Sequence, residues 1–203
     1  MIGPDGAKFD YVGHLLDART VADKGYMTQL SADTRALVEA YAAGLNTYAA
    51  EHPDEVPLRA LFPVTGRDIV AGFALRSPFF FGLDRVIGPL AEDRLPPRDA
   101  GPGEQRGSNA FAIAGRRSGD GVTRLLSNSH QPWTGGVAWY EVVVHSDAGW
   151  DFAGALFPGM PYPALGHNNQ LGWTNTVNRA DLIDTYKLVL DASGDKYRYD
   201  GQW

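Results

Sequence analysis

Apolar and polar positions divide the chain into a helical first part and a strand-like second part. Ser31 is placed to cap a helix in which Leu37, Tyr41, Leu45 and Tyr48 recur on one face at helical spacing. Glu51-His52-Pro53 is expected to end it, because the residue before a proline is pushed out of the helical region. Thr65-Gly66-Arg67-Asp68 has the spacing of a capping box, whose two side chains satisfy orphan amides at a helix start. Ile69, Val70, Phe73 and Ala74 supply the apolar stripe of that second helix, and Pro78 is expected to kink or stop it. The aromatic run Phe79-Phe80-Phe81 follows and, on its own, suits a core.

From Glu92 to Gly107 the texture changes to Pro, Gly and charge with no apolar period, which predicts a surface loop or linker where cutting is tolerated. Beyond it the alternation is that of strands. Phe111 and Ile113 alternate with Ala110, Ala112 and Ala114, Gly119-Asp120-Gly121 supplies a turn, and a return strand is expected over 122–126. Further strands are expected over 140–145, 182–190 and 197–203, and there is no internal repeat. Helices first and sheet afterwards predict an α+β architecture.

Composition narrows the partners. A formal charge of −6 over 203 residues argues against nucleic acid or an anionic membrane, which call for clustered Lys and Arg. Without cysteine there is no disulfide, thiolate catalysis or Cys-ligated zinc. No apolar run approaches the roughly 18 residues of a membrane span. The opening MIGPDGAKFDY lacks the basic start and apolar stretch of a signal peptide, and the last residues read as a half-built hairpin. The start fits either a cytoplasmic protein or a missing N-terminus, and both ends are compatible with a segment of a longer chain.

Taken alone, Gly107-Ser108-Asn109-Ala110 is a weak signal that reads as ordinary turn chemistry leading into a strand. Its surroundings carry more. Gly-Ser-Asn-Ala-Phe-Ala-Ile-Ala-Gly after a polar linker, then Asn128-Ser129-His130-Gln131-Pro132-Trp133, Phe157-Pro158-Gly159-Met160-Pro161, Gly166-His167-Asn168, Gly172-Trp173-Thr174-Asn175 and Tyr199-Asp200-Gly201-Gln202-Trp203 follow in order. This series resembles the catalytic chain of the penicillin acylase family, and residues 36–46 resemble a helix of that family's smaller chain.

The resemblance implies the four-layer αββα fold of N-terminal-nucleophile hydrolases, incomplete over this length. It implies three parts: 1–91 from the helical smaller chain, 92–107 as a spacer cut on maturation, and 108–203 opening the larger chain. The cut would fall between Gly107 and Ser108, giving an α/β heterodimer from one precursor. Serine is a poor nucleophile without a base. A free α-amine, with a pKa of about 8, can take its proton through one water, so Ser108 would supply both groups. By matched position, His130 would hydrogen-bond the serine or the incoming carbonyl, and it reads otherwise as a structural histidine at a strand end. The backbone N–H of Val177 would form half of an oxyanion hole, the second donor being an Asn beyond Trp203.

Asp181, Ile183 (through its carbonyl) and Asp184 resemble part of a calcium site, although two strand-edge acids read equally well as solvated surface. Phe79, Phe80 and Phe81 would line an apolar acyl pocket. Histidine rather than glutamine at 130 is similar to the branch holding acyl-homoserine-lactone, aculeacin and cephalosporin acylases. The substrate implied is a small N-acyl amide, and the location implied is periplasmic or secreted. A non-catalytic, calcium-stabilised scaffold of the same fold is the rival reading.

Overall fold

The computed structural model describes residues 7–80, 82–95, 107–135, 137–176, 184 and 186–203. Helices α1 (Ala7–Leu15), α2 (Ala18–Gly25), α3 (Ala32–Glu51), α4 (Gly66–Phe80) and α5 (Leu83–Ala91) come first. Strands β1 (Ser108–Ile113), β2 (Arg124–Ser129), β3 (Tyr140–Ser146), β4 (Trp150–Leu156), β5 (Leu165–His167) and β6 (Gly172–Trp173) follow. The architecture is α+β, as the pattern predicts. The chain divides into two compact units, one of residues 1–78 and 104–178, the other of residues 79–103 and 179–203.

In the first unit, Ser31 caps α3: its side-chain oxygen accepts from the Thr34 N–H at 3.1 Å. The helix ends at Glu51, ahead of Pro53. Its inward face differs from the expected one. Val38 and Ala42 are buried, whereas Leu37 and Tyr48 are exposed. Val12, Ala18, Ala22 and Tyr26 are buried as well, and on α3 itself the slim Val38 and Ala42 rather than the bulkier side chains mark the inward side.

The capping box before α4 forms, with aspartate in the return role. The Thr65 N–H and hydroxyl donate to Asp68 Oδ2 at 2.7 and 2.6 Å, and the Asp68 N–H reaches Thr65 Oγ1 at 3.4 Å. Glu39 adds a second cap, accepting from the Gly66 N–H at 3.0 Å and from the Tyr26 hydroxyl. Pro78 does not stop α4 at once. The helix continues to Phe80, and Gly82, at φ 94°, turns the chain into α5. A proline deletes one amide and crowds the turn before it, and the following residues can still close.

β1 and β2 form an antiparallel pair running from Ser108 opposite Ser129 to Ile113 opposite Arg124. β2 starts later and runs further than expected. The Asp120 carboxylate accepts from the Val122 N–H at 3.1 Å, the Ser118 hydroxyl at 2.9 Å and the Arg124 guanidinium at 2.9 Å, which keeps 118–122 as a turn. β3 to β6 form a second antiparallel sheet in sequence order. β4 and β5 approach so closely that a Cβ on Gly154 would stand 2.2 Å from the Leu165 carbonyl oxygen. A Cβ on Gly166, where φ is 144°, would stand 2.3 Å from that of Ala153. Phe152 is buried in the space so formed, its ring centroid 4.9 Å from that of Trp173. The two sheets meet where Ser127 Oγ and Thr174 Oγ1 lie 2.6 Å apart.

In the second unit, the strands expected over 182–190 and 197–203 reduce to two isolated bridges among the described residues, Leu190 with Tyr197 and Tyr199 with Gln202. The Asp191 carboxylate binds the Ser193 hydroxyl at 2.9 Å and the Lys196 N–H at 3.4 Å, so the chain turns before a longer ladder can build.

Candidate active site

The candidate chemistry sits at the open end of the β1–β2 pair. Gly107 and Ser108 are half-buried, and Ser108 is the first residue of β1. Its hydroxyl donates to the Gly107 carbonyl at 2.6 Å, and the backbone N–H of His130 donates to the same oxygen at 3.3 Å. One peptide carbonyl thus receives two donors, one from each strand. Register is the cause: with Ser108 opposite Ser129, residue 130 falls beside residue 107.

The His130 ring has a different partner from the one expected. Among the described residues its Nε2 meets the carboxamide Nδ2 of Asn109 at 3.1 Å and that of Asn128 at 3.5 Å, not the Ser108 hydroxyl. The pleat explains it. Opposed residues share a face, so Asn109 and Asn128 lie on one side of the pair and Ser108 and Ser129 on the other. Nδ1 of His130 lies over Gly107, 3.6 Å from where a Cβ would stand. The two asparagines escape a reading by motif, although Asn109 adjoins the serine and Asn128 belongs to the Asn-x-His element.

The same face continues into an open groove of 640 Å³ along Phe111, Ile113 and Leu126. Neither Ser108 nor His130 lines it, so the chemistry is located by the hydrogen bonds and not by this cavity. Phe79 and Phe80 lie at the end of α4 and belong to the second unit; Phe79 is half-buried and Phe80 exposed. Phe81, Val177, Asp181 and Ile183 lie outside the described residues. Asp184 is exposed, and no group of three or more His, Asp or Glu gathers to hold an ion among the described residues. No helix among them is long and apolar enough to cross a membrane.

Comparison with known proteins gives this geometry a context. A family model described as penicillin amidase matches residues 1–203. The chain is 32% identical over 193 residues to acyl-homoserine lactone acylase PvdQ of Pseudomonas fluorescens, which covers 84% of this chain and 25% of that protein. It is 40% identical over 95 residues to PvdQ of Pseudomonas putida, covering 47% of this chain and 12% of that protein. With aculeacin-A acylase of Actinoplanes utahensis it shares 32% identity over 93 residues, covering 46% of this chain and 12% of that protein. The chain thus spans about a quarter of the length of the first of these relatives.

Proposed function

The chain belongs to the penicillin amidase family, and on that premise we propose that it carries the self-processing site and the nucleophile of an amide hydrolase acting on small N-acyl compounds. The observation that carries the reading is the family match across the whole chain, joined to the Gly107–Ser108 unit with its doubly hydrogen-bonded carbonyl.

Processing begins at that carbonyl. The Ser108 hydroxyl oxygen adds to the Gly107 carbonyl carbon and its proton passes to the departing Ser108 nitrogen, while the His130 N–H stabilises charge growing on the carbonyl oxygen. Collapse breaks the carbon–nitrogen bond, leaving Gly107 esterified to Ser108 Oγ and the Ser108 nitrogen as a free amine. Water then hydrolyses the ester, so one water is consumed and one peptide bond lost. Before this step the nitrogen is an amide and cannot act as a base. Afterwards it has a pKa of about 8 and accepts the hydroxyl proton through one water.

The mature reaction repeats the same chemistry on a substrate. Ser108 attacks the acyl carbonyl, the amine part leaves with a proton, and water releases the acid from the acyl-enzyme. The Val177 N–H and an Asn outside this sequence complete the oxyanion hole in this reading, and the two halves of the cut precursor stay together as a heterodimer in an αββα fold. Aliphatic acyl groups are the substrates proposed, on the strength of histidine rather than glutamine at 130, with Phe79 to Phe81 proposed for the acyl pocket. A calcium ion held by Asp181, the Ile183 carbonyl and Asp184 belongs to the same proposal and takes no part in the steps above. Chelation should then lower the thermal midpoint of the full-length protein, and an unchanged midpoint removes the ion.

Intact mass and N-terminal sequencing of the full-length protein test the main claim. Two chains are expected, the larger beginning Ser-Asn-Ala-Phe, with Ser108→Ala leaving one uncut chain. An active, unmodified protein with residues 107 and 108 still joined overturns it.

A further inference from the structure

We propose that Asn109 and Asn128 are positioning residues that fix which ring nitrogen of His130 carries the proton. This rests on the processing site proposed at Gly107–Ser108 and adds to it a device for holding the imidazole in one form.

The argument starts from donor inventory. A carboxamide nitrogen only donates hydrogen bonds. Two of them converge on one atom, His130 Nε2, from directly opposed positions on adjacent strands. With both carboxamides turned nitrogen-first toward the ring, Nε2 is the accepting nitrogen, which leaves the proton of the neutral ring on Nδ1. In this orientation of the carboxamides, the other tautomer would aim an N–H at two further N–H groups. Both asparagines are exposed, so either contact alone competes with water and contributes little. Together they define a preference that one could not.

The other nitrogen gives the preference its consequence. Nδ1 lies over Gly107, whose carbonyl already accepts from the Ser108 hydroxyl and the His130 N–H. With the clamp in place, the ring edge that lies beside the Gly107 Cα carries a donor and not a lone pair. A donor there supports charge developing on the peptide unit that would be cut, whereas a lone pair opposes it. Asn109 and Asn128 touch no reacting atom. They act through His130.

The test reads the proton directly. In the full-length protein held uncut by Ser108→Ala, NMR of the histidine ring nitrogens, assigned by loss of the signal in His130→Gln, should show a bare Nε2 and a protonated Nδ1. A proton on Nε2 overturns the proposal. Asn109→Asp and Asn128→Asp keep side-chain size but replace a donor by an acceptor, and either should move the proton to Nε2. With Ser108 restored, each should slow appearance of the Ser108 amino terminus by about ten- to a hundredfold, less than the roughly 10²–10⁴ that a positioned proton-transfer group contributes. The two variants lie on different strands, so misfolding of one leaves the other to decide.

A moved proton with an unchanged cutting rate overturns the positioning role while the nucleophile survives. If the unmodified protein never cuts at residue 107, the processing reading fails by itself, and the ring spectrum of the uncut chain still upholds or overturns the clamp.

Discussion

Glu39 ties together three parts of the chain that are distant in sequence, accepting from the Tyr26 hydroxyl and from the Gly66 N–H at the head of α4. The Tyr26 hydroxyl is pushed up to about 12, first by burial and then by its bond to Glu39. The Glu39 carboxyl is held below its ordinary value by the Tyr26 hydroxyl and then by the Gly66 amide. A lowered carboxylate stabilises the fold above its unfolded pKa of about 4.3, and that contribution is lost as pH falls through the folded value. A raised tyrosine contributes fully below about pH 10 and loses its contribution as pH climbs toward 12. Glu39→Gln should therefore flatten the acid side of a plot of thermal midpoint against pH, and an unchanged slope below about pH 5 would remove this account. At the same scale, Ser108 and His130 could be singled out from linear motifs, but the partners of His130 could not. Asn109 and Asn128 meet the ring only because the strands pair in one register, and a slip of one residue would send them to opposite faces.

Elements fixed by neighbouring residues were legible. The Ser31 cap and the Thr65–Asp68 box are local hydrogen-bonding patterns, and they form as the residue order predicts. Ser31→Ala should cost about 1 kcal/mol in urea unfolding, as loss of an N-cap does. The inward face of α3 was not legible, because bulk along a helix does not reveal which slim positions its surroundings cover. β4 was missed for a related reason. Its sequence WDFAGAL breaks alternation with Gly154, and that glycine is needed because the Leu165 carbonyl, the Phe152 ring and Gly166 all close on it. Gly166→Ala meets both a backbone oxygen at 2.3 Å and a φ of 144°. It should destabilise the four-stranded sheet by about 3 kcal/mol, seen as a fall in the urea midpoint. A midpoint equal to the parent's would mean the strands can separate without penalty.

At the scale of the molecule, α+β class and family membership were legible because each is spread over many residues. Core placement was not. Among the described residues, large apolar side chains such as Phe111, Val143 and Leu171 are exposed, and no large side chain is fully buried. Such surfaces associate when they have nothing to cover them. Expressed by itself, the 203-residue segment should bind a hydrophobic dye strongly and unfold without a sharp transition, whereas the full-length protein should do neither. Equal dye binding by both would show that the exposed apolar side chains are an ordinary surface.

The rung that joins Ser108 to Ser129 has a last consequence. The scission proposed on the upstream side of Ser108 would remove a covalent tether and leave the ladder of β1 and β2 intact. A terminus formed in that way would be moored at birth, and its hydroxyl and amine would need no diffusive search and forfeit little freedom in taking up the proposed working position.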